Sequence, residues 1–329
     1  MIYAALAGNL LVAVTKMAAA AYTGSSAMLS ESVHSVVDTG NEILLLYGLR
    51  RSTQPPDREH PIGYGRELYF WSFIVAVLIF ALGAGVSVYE GIDHIRHPEP
   101  IVRPVVSYVV LALSFLFEGA SWLYSLRQFS SAKGPMGYYE AFRRSKDPPS
   151  FMVLFEDSAA LLGIVIAAAG IYAASHLNAP IFDGVASILI GLVLAATAGL
   201  LARESKSLLI GEQAKPELTY AILRIAGEEP AVSRANGVFT VHLAPDQILA
   251  ALSLEFADDL RATGVEDAVT TIEREIRAAY PSVVALFIKP QRDQVFREAQ
   301  RQRLGSRPPD AVDFSPDPAP EQDSPGRER

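Results

Sequence analysis

The chain has no cysteine, which excludes disulfides and thiolate metal sites; any bound metal must be held by His, Asp, Glu or backbone oxygen. Histidine is sparse, with six in 329 residues, and the pattern His-Glu-x-x-His does not occur. A metalloenzyme needs a general base beside an open coordination position. With that motif missing, no enzymatic activity is expected. Excess positive charge is also missing. The net charge of −8, much of it in the last third, argues against a nucleic-acid partner. There is no internal repeat, and no basic lead before the first apolar run of the kind a cleaved signal peptide carries.

What the chain has instead is apolar length. Half of its residues are hydrophobic, mean hydropathy is positive, and the apolar blocks lie before about residue 210. Six runs reach the roughly 20 residues that a helical bilayer crossing takes. They are Ile2–Tyr22, Ala27–Leu49, Leu68–Tyr89, Val105–Leu126, Phe151–Ala174 and Pro180–Leu201. The expected fold class is a polytopic α-helical membrane protein with six transmembrane helices in residues 1–209. Run one carries Lys16 and flows directly into run two, so it is read as retained. It starts at Met1 with no leading loop, which leaves a start further upstream open. Arg50, Arg51, Arg58 and Arg66 follow run two. Arg127, Lys133, Arg143, Arg144 and Lys146 follow run four, and Arg203 and Lys206 close run six. Between runs three and four there are only Arg96 and Arg103. The positive-inside rule then puts both termini in the cytoplasm, with a bacterial inner (plasma) membrane as the expected location.

From about Gly211 the texture changes. Pro216–Glu228 reads as an amphipathic helix, Gly237–His242 and Ile248–Phe256 as strands, Val265–Ala279 as a helix and Val283–Lys289 as a strand. That order suits a small α/β sandwich over residues 210–290, with helices on one sheet face. Residues 291–329 are rich in Pro, Arg, Asp and Glu, and a disordered tail is expected.

Within run two, Glu31-Ser-Val-His34-Ser-Val-Val-Asp38-Thr-Gly40-Asn-Glu42 puts a histidine and an acid at i and i+4. On a helix those side chains share one face, with Glu31 and Glu42 a turn to either side. An imidazole nitrogen and a carboxylate at that spacing can share a borderline divalent cation such as zinc. Ionisable groups at membrane depth are costly and mark an ion or proton path by default. The alternative is a buried histidine bonded to its own helix neighbour. Run five holds Glu156 and Asp157 in Phe151-Met-Val153-Leu-Phe-Glu156-Asp157-Ser158. If runs two and five pack together, His34, Asp38 and Asp157 supply three ligands, and Glu156, water or a backbone oxygen completes the set. The alternative there is a polar clamp between helices, with Lys16 as a partner. Glu118 in run four is read as Lys16's structural partner, with an acceptor for His34 or a proton carrier as other roles. Asp183 is expected at the interface near the start of run six. Asp57 and His60, in the Gly-rich loop after run two, make either a weak exposed cation site or an ordinary polar turn. His94, His97 and His176 read as solvated interfacial residues without a role, and His242 as structural.

Several of these motifs together resemble the cation diffusion facilitator family of zinc transporters. They are Thr23-Gly-Ser-Ser-Ala-Met-Leu with His34 and Asp38, the His60-Pro-Ile-Gly-Tyr-Gly-Arg-Glu67 loop, Asp157, and Asp183-Gly-Val-Ala-Ser-Ile-Leu-Ile-Gly191. Arg144-Ser-Lys-Asp-Pro-Pro, Leu154-Phe-Glu156-Asp157-Ser-Ala-Ala and Phe115-Leu-Phe-Glu118-Gly are similar to the branch that includes the mitochondrial zinc transporter of animals. The resemblance covers roughly residues 1–290. It implies a homodimer of six-helix subunits, each with a ferredoxin-like cytoplasmic domain, exporting a divalent cation in exchange for protons. It maps four site positions onto His34, Asp38, Val153 and Asp157. Val153 departs from the family's usual ligand there, with Glu156 standing beside Asp157. Tyr64 stands where the loop often has a further histidine. Leu252-Ser-Leu-Glu-Phe256 and Ala285-Leu-Phe-Ile-Lys-Pro290 lack the histidines of a paired zinc site. The expected cargo is Zn2+, with manganese, iron or cobalt as alternatives and a non-transporting membrane scaffold as the other class. No prosthetic group is expected.

Overall fold

A computed structural model describes residues 2–135 and 137–304. Two compact units emerge, one of Met1–Glu212 with His242–Gln247, the other of Gln213–Val241 with the described part of Ile248–Arg329.

The first unit is helical. Helix α1 (Ile2–Thr23) stops at Gly24, whose φ of 70° lies in the left-handed region open to glycine. Helix α2 (Ser26–Ser52) then starts on Ser25, whose hydroxyl accepts the Met28 N–H at 3.1 Å. The third long helix runs from α3 (Glu67–Leu78) through a π-helical turn (Ile79–Ala84) into α4 (Gly85–Arg96). Prolines in their first turns open α5 (Pro104–Lys133) and α7 (Pro148–His176), with the short α6 (Tyr138–Arg144) between them. Helix α8 (Ile181–Ile210) closes the set. The six apolar runs fall on α1, α2, α3–α4, α5, α7 and α8. Among the described residues four helices are long and apolar enough to cross a membrane: Glu67–Arg96, Pro104–Ser131, Phe151–His176 and Ile181–Ile210.

Helix α8 packs against α2, α3, α4 and α7. Its approach to α4 is backbone to backbone. A Cβ built on Gly184 would lie 2.7 Å from the Gly91 carbonyl oxygen, and one on Gly91 would lie 2.6 Å from that of Gly184. Small residues admit this closeness, and no side chain can be added without parting the helices. Gly184→Val should therefore destabilise the protein by about 3 kcal/mol, at the upper end of ordinary overpacking. Thermal unfolding in detergent would test this, and an unchanged midpoint would mean the helices are free to separate.

Lys146, just before α7, forms an ion pair with Glu212, just after α8. Burial alone would push the Glu212 carboxyl up; the Lys146 ammonium and the Ser207 hydroxyl outweigh it and hold the carboxyl below its usual range. A depressed carboxyl gives stability that is present above its ordinary value of about 4.3 and lost as pH falls through the lower folded value. Acidification through that window should speed amide exchange around residues 145–147 and 208–212. Glu212→Gln should remove this acid-dependent part; a wild-type-like acid response in that variant would count against the pair.

The second unit follows the order read from the sequence. It comprises α9 (Pro216–Glu228), β1 (Val232–Ala244), β2 (Gln247–Phe256), α10 (Ala262–Ala279), β3 (Val283–Pro290) and α11 (Asp293–Leu304), the tip of β1–β2 belonging to the first unit. The sheet order is β1-β2-β3, with β2 parallel to β3 and Leu249 opposite Ala285. Parallel pairing requires a crossover, and α10 supplies it. Ile222 and Ala226 of α9, Leu252 and Leu254 of β2, and Ile272 and Ile276 of α10 form one core. Helix α11 corrects the expectation of disorder from residue 291. Its Phe296 is buried against Gly237, where an added Cβ would meet the ring at 2.5 Å, and Asp293 pairs with Arg297 at 2.8 Å. One aromatic anchor holds a helix that is otherwise polar. Residues 305–329 of the expected tail lie outside the described residues.

Candidate cation site

Helix α2 buries Glu31, His34 and Asn41. His34 Nδ1 lies 3.2 Å from Asp38 Oδ1, the i, i+4 pair expected from the sequence. Neither His34 nitrogen makes a hydrogen bond, and nor does Asp38 Oδ1. Buried polar atoms are nearly always satisfied, so an imidazole left this way is prepared for a further partner.

Helix α7 divides its two acids. Glu156 is buried and accepts from Asn41 Nδ2 of α2 at 3.1 Å, while Asp157 accepts from the Ser121 hydroxyl of α5 at 3.0 Å. Glu156 is within electrostatic reach of His34 and Asp38, and Asp157 within reach of Asp38. Of the two adjacent acids, Glu156 is thus the one hydrogen-bonded to α2, and Asp157 the one hydrogen-bonded to α5. Val153 is half-buried on the same helix. Among the described residues no three His, Cys, Asp or Glu converge closely enough to hold one ion in this conformation.

Lys16 of α1 is fully buried beside this region. Its ammonium donates to Glu118 Oε1 at 2.7 Å, to Ser35 Oγ at 2.9 Å and to Glu31 Oε2 at 3.2 Å. Glu118 is thus Lys16's partner, as expected. The second acid, Glu31, was legible only as a stripe neighbour of His34. Lys16 does not clamp Glu156 or Asp157 in any ion pair among the described residues.

Asp183, in the first turn of α8, is fully buried. It caps α2 from α8. Oδ2 accepts the Ser26 N–H at 2.6 Å and the Ala27 N–H at 3.4 Å, and Oδ1 accepts the Ser25 hydroxyl at 2.8 Å. A carboxylate there meets unpaired N–H groups and the positive end of the helix. Ser30 and Ser187 share a 2.5 Å hydrogen bond, and Ser187 also donates to the Ser87 carbonyl, linking α2, α8 and α4. Buried small polar residues in these helices were the available signal, but serine spacing alone does not pick out its partner. His94 is buried as well, not solvated, because Asp183 and the start of α2 lie over it.

In the loop, Asp57 and His60 approach to 3.6 Å. Asp57 Oδ1 accepts the N–H groups of Glu59 and His60, and Oδ2 accepts the Tyr64 hydroxyl at 2.6 Å. The Tyr64 hydroxyl and the His60 N–H hold this carboxyl below its usual range.

Known proteins carry the same domain. The cation efflux transmembrane domain family matches residues 2–210. The chain belongs to this cation efflux, or cation diffusion facilitator, family. It is a family of transporters, not of enzymes. This cation efflux protein is 37% identical over 226 residues to the proton-coupled zinc antiporter SLC30A9, mitochondrial, of Xenopus laevis, covering 68% of this chain and 40% of that protein. It is 38% identical over 191 residues to metal tolerance protein C4 of Arabidopsis thaliana, covering 57% and 42%. Against the cation-efflux pump FieF of Cronobacter sakazakii it is 24% identical over 287 residues, covering 84% and 88%. The chain therefore spans about two-fifths of the length of the first two relatives. The likeness to the SLC30A9 branch, read from the run-four and run-five motifs, holds.

Proposed function

We propose that this protein is a proton-coupled antiporter that exports a divalent cation, zinc ahead of manganese, iron or cobalt, from the cytoplasm. The observation that carries the reading is the buried His34, 3.2 Å from Asp38 and with both ring nitrogens unsatisfied. His34 and Asp38 from α2 bind the cation with Asp157 from α7, and Glu156 takes the place left by Val153. Its support is the Asn41 hydrogen bond, which fixes the Glu156 carboxylate against α2. An imidazole in the set favours zinc over a site of oxygens alone. The ligands must shed protons to bind metal, so protons on the far side displace it, and exchange follows from that competition. The names of the relatives as a zinc antiporter and a cation-efflux pump support cargo and direction.

All six long helices cross the bilayer in this reading, and the basic loops place both termini in the cytoplasm. A bacterial inner membrane and a mitochondrial membrane, the latter suggested by the SLC30A9 relative's name, both maintain the proton gradient required. The second unit is ferredoxin-like and joins two copies into a homodimer. Asp57 is already committed to two N–H groups and the Tyr64 hydroxyl, which favours a loop-holding role for it and His60 over a cation site.

The test is metal uptake into proteoliposomes with an imposed pH gradient, comparing zinc, manganese, iron, cobalt and cadmium. Zinc uptake that collapses with the gradient is expected. Uptake of manganese or iron in its place would overturn the choice of cargo. No gradient-driven flux of any cation would leave the polar cluster as a clamp between helices and the protein as a scaffold.

A further inference from the structure

At the end of the bundle away from the basic loops, the tips of α1, α2 and α4 line an open pocket of about 280 Å³. One wall is a single stripe of α4. Glu90, Asp93, His94 and His97 stand at i, i+3, i+4 and i+7, so all four side chains share one helix face, and all four line the pocket. Glu99 lines it from just beyond the helix. His94 is only 9% exposed, and its Nε2 has no hydrogen-bond partner; the nearest acid, Asp183 at 3.8 Å, is already engaged by the start of α2. His97 Nδ1 lies 3.2 Å from Asp93 Oδ1. Two ligand atoms on one tetrahedral zinc stand about 3.3 Å apart, given metal–ligand bonds of about 2.0–2.1 Å.

We propose that this α4 stripe is a second binding site for a divalent cation of the zinc class, with His94, His97 and Asp93 as ligands and Glu90 beside them. Imidazole and carboxylate together suit a borderline cation, and harder ions such as calcium prefer all-oxygen sites. The three ligands do not converge in the empty arrangement. They share one helix face, however, and in this proposal the cation draws them together by side-chain rotation. The site stands at the mouth of the bundle, against the N-terminal end of the helix that carries His34 and Asp38. It does not depend on those residues as ligands, nor on proton exchange.

The probe is Co2+ titrated into the purified full chain in detergent, followed by its visible absorption, with Zn2+ as competitor. The background is Asp38→Ala with Asp157→Ala, which removes ligands of the proposed transport site. One zinc-displaceable cobalt site is expected to remain there. His97→Ala or Asp93→Asn should weaken it at least about 10-fold, the scale at which loss of even a supporting group is felt. Both side chains are more than half exposed, at 74% and 57%, so neither change disturbs the core. His60→Ala should leave the site intact. The proposal is overturned if the background binds no cobalt, if His97→Ala and Asp93→Asn leave binding unchanged, or if His60→Ala abolishes it. Transport is read in a separate assay, so failure of the antiport reading leaves this result interpretable.

Discussion

Replacing Lys16 by methionine is expected to destabilise the protein by about 3–5 kcal/mol, the cost of breaking a buried ion pair from one side. The side chain is fully buried and its ammonium is shared by two carboxylates, Glu31 at 3.2 Å and Glu118 at 2.7 Å. Methionine nearly preserves the volume, so packing contributes little to the loss. What remains is two acids without a counter-ion, one of them, Glu31, fully buried. Glu31 also has little room to withdraw, because it presses on α7 where an added Cβ on Gly163 would lie 2.2 Å from its Oε1. Adding Glu31→Gln and Glu118→Gln to Lys16→Met should restore most of the stability, since the uncompensated charge is then gone. Unfolding in detergent, run as a mutant cycle, isolates the interaction. Equal stability for wild type and Lys16→Met would mean that the acids carry protons and the pair carries little energy.

His34→Ala and Asp38→Ala are each expected to lower gradient-driven zinc uptake by at least about 100-fold while leaving the folded fraction unchanged. Supporting groups around a metal typically account for 10–100-fold, and a ligand accounts for more. The α7 acids separate two arrangements of the site. If Glu156 fills the place left by Val153, Glu156→Gln should fall close to Asp157→Ala. Asn41→Ala, which removes only the 3.1 Å hydrogen bond, should then weaken zinc about 10–100-fold through affinity, not through maximal rate. Wild-type uptake in Glu156→Gln with none in Asp157→Ala would return the site to three ligands and leave Glu156 as a partner of Asn41 alone. Wild-type uptake in Asp157→Ala would remove Asp157 from the site.

The parts legible in the sequence were those encoded by local period. The i, i+4 spacing of His34 and Asp38, the six apolar runs, and the α, β, β, α, β order beyond residue 213 each depend on neighbours along the chain. The misreadings arose where the deciding contact comes from another helix. Asp183 sits at the start of α8, and its role as a cap stays hidden until α2 is known to begin against it. Glu156 and Asp157 differ by one step of about 100° around α7, and only the packing of α2 and α5 decides which faces which. His94 follows from Asp183, because a residue beneath a buried cap is buried too. Phe296 is the opposite case, a single anchor hidden in a stretch whose average composition reads as disordered.

The glycine contact between α4 and α8 also bears on how the bundle can change shape. Helices that meet through side chains can slide by exchanging rotamers, whereas two backbones in direct contact have no rotamers to exchange. Gly91 and Gly184 therefore weld α4 to α8, and the Asp183 cap rivets the start of α2 to the same piece. Any rocking that opens the bundle first to one side and then to the other must be taken up elsewhere. The seam between α5 and α7 is suited to this, being stitched by Ser121 to Asp157 and Trp122 to Ser158, hydroxyl contacts that break and re-form with small rotations. Asp157 would then serve as both ligand and stitch, and taking up a cation would loosen the seam that has to move.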